Sequence, residues 1–192
     1  MNGSKKIIII GTKSLAEMVV DIAKALNYDI VGFVDDFNKS SHFQNKPILG
    51  TLNNFLKNKK FFDCSIFVAI GDNKMRRNIF AKINSTKNYF LPNLIHPNAE
   101  IVNSSNLKLG NNLIFPQAYV GSNCNINSGN IIFSGVRINH HNTIGSFNFF
   151  APNMSIGGNT KVGDLCKFGM NSVILPYKNL GDDLHTKPLE IL

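Results

Sequence analysis

The chain has 192 residues, 43% of them hydrophobic, with 20 Lys or Arg against 12 Asp or Glu and a formal charge of +8 at pH 7. That is enough chain for one large domain or two small ones with packed cores, and no apolar run approaches the ~20 residues that span a bilayer. The surplus positive charge favours anionic partners. The lysines (Lys5, Lys6, Lys57, Lys59, Lys60, Lys161, Lys167) are nevertheless scattered, not gathered on one helix or interleaved with aromatics, so no nucleic-acid motif is met and the charge reads as a solvated basic surface, with or without a small anionic ligand.

Residues 5–94 alternate strand and helix patterns. KKIIIIG is a β-branched run closed by glycine. It is too short for the apolar region of a signal peptide, which predicts a cytoplasmic protein. In SLAEMVVDIAKAL, Leu15, Met18, Val19, Ile22, Ala23 and Leu26 recur at helical spacing, with Ser14 as N-cap and Glu17 as its capping-box partner. YDIVGFVDD reads as a second strand, FDCSIFVAIGD as a third and NKMRRNIFAKI as a second helix. Strand, turn, helix and strand within about 30 residues make a βαβ unit, hence a parallel sheet. The expectation is a small Rossmann-like α/β domain over residues 1–94.

From Ile95 the pattern changes. Counting by six from Ile114 meets Val120, Ile126, Ile132, Ile138, Ile144, Phe150, Ile156, Val162, Phe168, Ile174 and Leu180, all large and apolar. Four residues beyond each of the first ten stand Ala118, Cys124, Asn130, Val136, Asn142, Asn148, Met154, Thr160, Cys166 and Ser172. No α-helix has period six. Six residues per face and three faces per turn give a parallel β-helix over residues 95–192, its apolar residues stacked in an internal column and its asparagines laddered by hydrogen bonds. Ile95, Ile101 and Leu107 keep the period one residue out of phase, so a one-residue slip is expected between Gly110 and Leu113, and the phase fades after Leu184. Cys64, Cys124 and Cys166 are odd in number and far apart, which fits reduced core thiols and neither a disulfide framework nor a metal site.

Candidate ligand residues in the first domain follow strand ends, where open α/β sheets gather ligands. Gly11, Thr12 and Ser14 lie in a strand-to-helix turn whose free N–H groups suit a phosphate, although GTKSLA lacks the GxGxxG of a dinucleotide site. Asp35 and Asp36 are either acceptors for a ribose or base, or residues that end a strand. Gly71, Asn73 and Arg76 follow the third strand, and His96 orders a chain junction. In the β-helix, the adjacent His140 and His141 are either catalytic or solvated turn residues.

The opening strand, glycine turn and helix, the VDD of residues 34–36, AIGDNKMRR, LIHPNA and a histidine in an IxHxxxIG hexapeptide together resemble the PglD/NeuD-like sugar acyltransferases. The resemblance implies that the β-helix is left-handed. It also implies a homotrimer with sites between adjacent helices, and acetyl transfer from acetyl-CoA to the amino group of a nucleotide-linked amino-dideoxy sugar for surface glycan synthesis. The first domain would bind the nucleotide sugar and the β-helix would perform the transfer. By the same resemblance His140 is the general base, His141 stands where relatives carry a carboxylate that orients the base, and Gly158 offers its N–H to the oxyanion. The pantetheine arm of the coenzyme would lie along an edge formed by Gly157, Gly158, Gly163, Gly169 and Ser172.

The sequence departs from the family where Leu15 replaces a histidine of the first turn, where Phe149 replaces a second histidine beyond the base, and where NLGDDLHTKPLEIL replaces a glycine-rich ending. These bear on the sugar-nucleotide pocket, the thioester contacts and coenzyme affinity in turn. Two other readings therefore stand beside N-acetylation: transfer to a sugar hydroxyl, and a non-catalytic β-helix protein that binds a sugar nucleotide.

Overall fold

A computed structural model describes residues 5–108 and 110–192. The chain divides into two compact units, Met1–Leu94 and Ile95–Leu192. In the first, β1 (Lys5–Ile10), α1 (Ser14–Ala25), β2 (Tyr28–Val34), β3 (His42–Phe43), β4 (Lys46–Pro47), α2 (Leu52–Leu56), β5 (Ser65–Val68) and α3 (Asn73–Asn84) follow in order. A parallel sheet of order β2-β1-β5 forms the centre. Ile7 to Ile10 of β1 are 3% exposed or less because a central parallel strand is covered on both faces, which is why it reads as an unbroken apolar run. β3 and β4 make a separate antiparallel pair.

Helix α1 starts differently from its sequence signature. Ser14 is the first helical residue, the N-cap is Lys13 in an extended conformation, and no side chain caps the turn. The turn before it is set by Gly11 at φ +108°, where an added Cβ would lie 2.9 Å from the Ala69 carbonyl oxygen, so the backbone enters the helix without an oxygen-bearing side chain in the capping position. The buried face is also rotated from the expectation: Met18 is 40% exposed, while Ala16 and Val20 are buried. Helix α3 has the ordinary start, with Asp72 Oδ1 accepting from Met75 N at 2.7 Å.

The second unit is a parallel β-solenoid. Fifteen two-residue strands, from Leu94–Ile95 to Asn179–Leu180, stack into three five-stranded parallel sheets. Tyr119 pairs with Arg137 and Arg137 with Ser155, so a coil is three hexapeptides long. The first coil is longer by a single residue, since Tyr119 pairs back to Glu100 and not to Ile101. The extra residue is absorbed before Leu113, where Gly110 (φ +139°) and Asn111 (φ +57°) both leave the extended region. The one-residue slip lies where the sequence puts it. The column from Ile114 to Ile174 is 4% exposed or less throughout. The pairing outlasts the apolar phase: Lys167 bridges to His185 and Val173 to Ile191, although the column position after Leu180 is Thr186.

Two features hold each turn of the coil. One is a second buried column that carries the predicted asparagines. Asn112 Oδ1 accepts from Asn130 N, Asn130 Oδ1 from Asn148 N and Asn148 Oδ1 from Cys166 N. The amide nitrogens donate back to carbonyls, as Asn148 Nδ2 does to Gly163 O at 3.0 Å. The ladder thus joins side chain to backbone, not side chain to side chain, and it satisfies corner groups that burial would otherwise orphan. The other is a left-handed residue three places after each column residue, among them Asn123, Gly129, Gly135, His141, Phe147, Asn153, Asn159 and Asn171, all at φ between +56° and +74°. Asn and Gly adopt this conformation at little cost.

Asn148→Ala removes an acceptor and two donors from a fully buried site. The expected cost is about 2–4 kcal/mol, read as a fall in Tm by circular dichroism of roughly 5–15 °C.

Candidate active site

Two places bring the candidate residues together, one in each unit. In the first unit a cavity of about 380 Å3 opens at the carboxyl ends of all three strands and is lined by residues 10–15, 34–37, Leu52, Ala69–Asp72, Met75 and Ile79. Gly11, Thr12, Ser14, Asp35, Asp36 and Gly71 are all part of that lining. Leu15, which replaces the family's first-turn histidine, lines it too, as do Lys13, Phe37 and Met75, for which the sequence carries no ligand signal. The uncapped first turn of α1 borders the cavity, which gives backbone donors and a positive helix end to any anion bound there.

The two aspartates are engaged in the loop. Asp35 Oδ2 accepts from the Thr12 hydroxyl at 2.8 Å, and its Oδ1 accepts from Phe37 N at 2.8 Å and Asn38 N at 3.0 Å. Burial by itself would raise the Asp35 carboxyl, but the N–H groups of Phe37 and Asn38 and the Thr12 hydroxyl outweigh it and hold the group below its usual range. Asp36 accepts from Leu52 N at 2.7 Å, anchoring the start of α2. Both therefore shape the cavity wall.

Arg76 and Asn73 stand apart from the lining. The Arg76 guanidinium is 1% exposed and donates to the carbonyls of Ile70 and Gly71 and to Asn73 Oδ1. Burial lowers its proton affinity, partly offset by the charge of Asp72. Arg76 is a staple beneath the Gly71 loop, and its guanidinium faces loop carbonyls instead of the cavity.

In the solenoid, His140 and His141 follow the strand Arg137–Ile138 at one corner and are both exposed. His140 Nδ1 lies 3.1 Å from His141 Nδ1, the rings meeting edge to face at 82°. His141 is itself the left-handed corner residue, at φ +58°. Its N–H donates to Ser122 O and Asn159 N donates to His140 O, so the coils on either side fix the backbone of the pair. His141 Nε2 lies 3.1 Å from the amide Nδ2 of Asn123, one coil earlier. Asn123 went unremarked in the sequence, although its distance of one coil from His141 follows from the period.

Gly158 sits one coil after His140. A Cβ built on it would lie 2.5 Å from His140 Cε1 and 2.8 Å from Nε2, so the imidazole rests across the bare glycine. The Gly158 carbonyl accepts from Tyr177 N, while its own N–H has no acceptor among the described residues. Of the remaining small residues, Gly157 adjoins that edge, while Gly163, Gly169 and Ser172 lie away from it. Gly157, Gly163 and Gly169 are six apart and hence at three successive corners, where an added Cβ would strike Pro176, Asp182 and the backbone of Lys187 and Pro188 in turn. Ser172 is fully buried and donates to Gly169 O. A single edge recurs only once per coil, so the edge through His140 consists of Ser122, Gly158 and Pro176.

His96 Nδ1 accepts from Asn98 N at 3.0 Å, closing a local turn. Phe149 packs against Phe133, with centroids 5.1 Å apart, and lies under the Lys167 ammonium. Cys64, Cys124 and Cys166 are free and buried, and burial, the largest influence, together with Asp63 pushes the Cys64 thiol up to about 11. Among the described residues no group of three or more His, Cys, Asp or Glu could hold a metal ion, and no helix is long and apolar enough to cross a membrane.

A small parallel-sheet α/β unit followed by a parallel β-solenoid matches the fold of a left-handed β-helix acetyltransferase. Residues 6–83 match the family model described as the PglD N-terminal domain. The acetyltransferase domain of PglB from Neisseria gonorrhoeae is 25% identical, with a TM-score of 0.89 over 98% of this chain and 91% of that one. The same domain in complex with acetyl coenzyme A aligns at 24% identity and a TM-score of 0.86, covering 97% and 89%. PerB from Caulobacter crescentus, in complex with CoA and GDP-perosamine, shares the fold at 22% identity and a TM-score of 0.69, covering 97% and 95%. The resemblance to the PglD/NeuD-like sugar acyltransferases thus extends through both units.

Because the Asp35 carboxyl is held low in the folded state, it contributes stability at pH values above its unfolded value and loses that contribution as pH falls through the lowered folded value. Asp35→Asn is expected to lower Tm at pH 7, with the gap to the unmodified protein closing as pH falls below the ordinary aspartate value of about 4. Thermal melts across that range check it.

Proposed function

We propose that the protein transfers an acetyl group from acetyl-CoA to the amino group of a nucleotide-linked amino-dideoxy sugar destined for a surface glycan, as a cytoplasmic homotrimer. The observation that carries this reading is the His140 imidazole lying across Gly158, with Nδ1 turned to His141. A ring held by one nitrogen offers the other to a reacting group. The Gly158 N–H, lacking an acceptor among the described residues, suits the oxygen that develops negative charge as the thioester carbonyl becomes tetrahedral.

The chemistry then follows in order. The sugar amine adds to the thioester carbonyl, His140 Nε2 takes the proton that the new C–N bond makes acidic, and the tetrahedral carbon expels CoA as its thiolate. The proton on His140 passes to the departing sulfur, giving amide and free thiol with no covalent enzyme intermediate. The cavity at the strand ends would hold the nucleotide, with its phosphates toward the uncapped start of α1 and Lys13. The net charge of +8 suits two anionic substrates. Support from outside the chain comes from the PglB domain crystallised with acetyl coenzyme A and from PerB with CoA and GDP-perosamine.

His140→Ala is expected to lower kcat by about 10^2-fold or more with UDP-, GDP- or dTDP-linked 4-amino sugars. Acetyl-CoA should still raise the Tm of the variant by mass action. Coenzyme release and thermal shift read the two effects. Undiminished turnover would refute the base assignment, equal turnover of the hydroxyl analogue would favour O-acetylation, and stabilisation by a nucleotide sugar but not by acetyl-CoA would favour a binding protein.

A further inference from the structure

The His140–His141 contact joins two nitrogens of the same kind, and that restricts the protons. Of two Nδ1 atoms 3.1 Å apart, one must carry a hydrogen and the other a lone pair. Which is which is decided at the far end of the chain, because a neutral His141 protonated at Nε2 has its lone pair at Nδ1, and the reverse. Nε2 of His141 faces the Asn123 amide. An asparagine amide occupies nearly the same volume after a half-turn about χ2, so either end can be presented.

The two orientations have opposite consequences. With Asn123 Nδ2 donating to His141 Nε2, His141 carries its proton on Nδ1 and donates it to His140 Nδ1. His140 is then protonated on Nε2 and has no lone pair to offer. With Asn123 Oδ1 accepting from His141 Nε2–H, His141 Nδ1 accepts from His140 Nδ1–H, and the lone pair of His140 is on Nε2. Asn123 Oδ1 accepts no hydrogen bond among the described residues in its present orientation, so the turn breaks no bond there.

We infer that Asn123 is a positioning residue, whose Oδ1 accepts from His141 Nε2–H and so sets the His140 tautomer with its free lone pair on Nε2. The inference rests on the reading of His140 as general base. Asn123, His141 and His140 then form one directed row of hydrogen bonds in which a neutral amide does the orienting that a carboxylate beside the base would do. When His140 takes up a proton at Nε2, its Nδ1–H still donates to His141, and the row keeps its direction through the cycle. The corner geometry makes the row possible: Asn123 and His141 are consecutive left-handed residues of one corner, at φ +58° each, so their side chains leave the backbone in the same way one coil apart.

The left-handed backbone also supplies a clean deletion. Asn123→Gly removes the amide from a left-handed position that glycine adopts without strain, and Asn123→Asp keeps the shape while presenting only acceptors. The primary readout is nitrogen-15 NMR of histidine-labelled full-length protein at about pH 8.5, above the ordinary imidazole range. In the unmodified protein and in Asn123→Asp, His140 Nε2 is expected to be predominantly of the lone-pair type, and in Asn123→Gly the lone pair is expected to move in part to Nδ1, with little change in Tm. In turnover, Asn123→Gly should lose roughly tenfold in kcat, a fraction of the ~10^2–10^4 that a whole general base supplies, with KM for both substrates unchanged, and Asn123→Asp should keep at least the unmodified kcat. A protonated Nε2 as the main neutral form of the unmodified protein, or an unchanged tautomer in Asn123→Gly, overturns the inference. If no acetyl transfer occurs with any amino sugar, the proposed function fails while the NMR result still decides the role of Asn123.

Discussion

The second unit depends on one requirement: a chain that turns a corner every six residues must find a partner for each peptide group that the corner takes out of the sheets. Asn112, Asn130, Asn148 and Asn142 meet it by accepting from an N–H one coil ahead and donating to carbonyls nearby. Apolar burial along the Ile114–Ile174 column supplies the cohesion. Burial is non-directional, however, and by itself would tolerate a shifted register. The amide ladder links each coil to the next at a fixed offset, so it specifies the stacking that places residues of neighbouring coils in contact.

That stacking is what turns isolated residues into a site. His140, Gly158, His141 and Asn123 are spread over three consecutive coils, yet they meet because those coils are in register. The glycine matters for what it leaves out, since any side chain at residue 158 would occupy the space of the imidazole. The first unit works by another rule. Its cavity is made by the ends of three parallel strands, and the wall aspartates Asp35 and Asp36, with Arg76 beneath the Gly71 loop, are engaged in holding that loop geometry in place.

The period-six column, the asparagine positions, the slip after Leu107 and the βαβ start of the first unit were legible because each repeats or alternates, and periodicity is what a solenoid or a sheet imposes on sequence. The capping of α1 was not, since Ser14 has the right chemistry and lies one residue inside the helix. Of the expected edge only Gly157 and Gly158 meet, for a geometric reason: hexapeptide spacing moves around the solenoid while whole-coil spacing moves along it, and Gly163, Gly169 and Ser172 are carried to other faces. Arg76 follows a strand as a ligand contact would, but helical geometry carries it back under its own loop.

The asparagine rungs begin at Asn112, directly after the one-residue insertion between the first coil and the rest. Downstream of that point the molecule has a quantum of length. Three hexapeptides together can be added to or removed from the solenoid and every rung, corner and column position still finds its counterpart. Any other increment would strand an amide against the wrong peptide. The irregular coil lies upstream of the first asparagine rung and is bridged instead by the Ser105 hydroxyl, which accepts from Cys124 N at 3.0 Å, so beyond it the solenoid can grow or shrink in whole coils only, with the odd residue confined to its beginning.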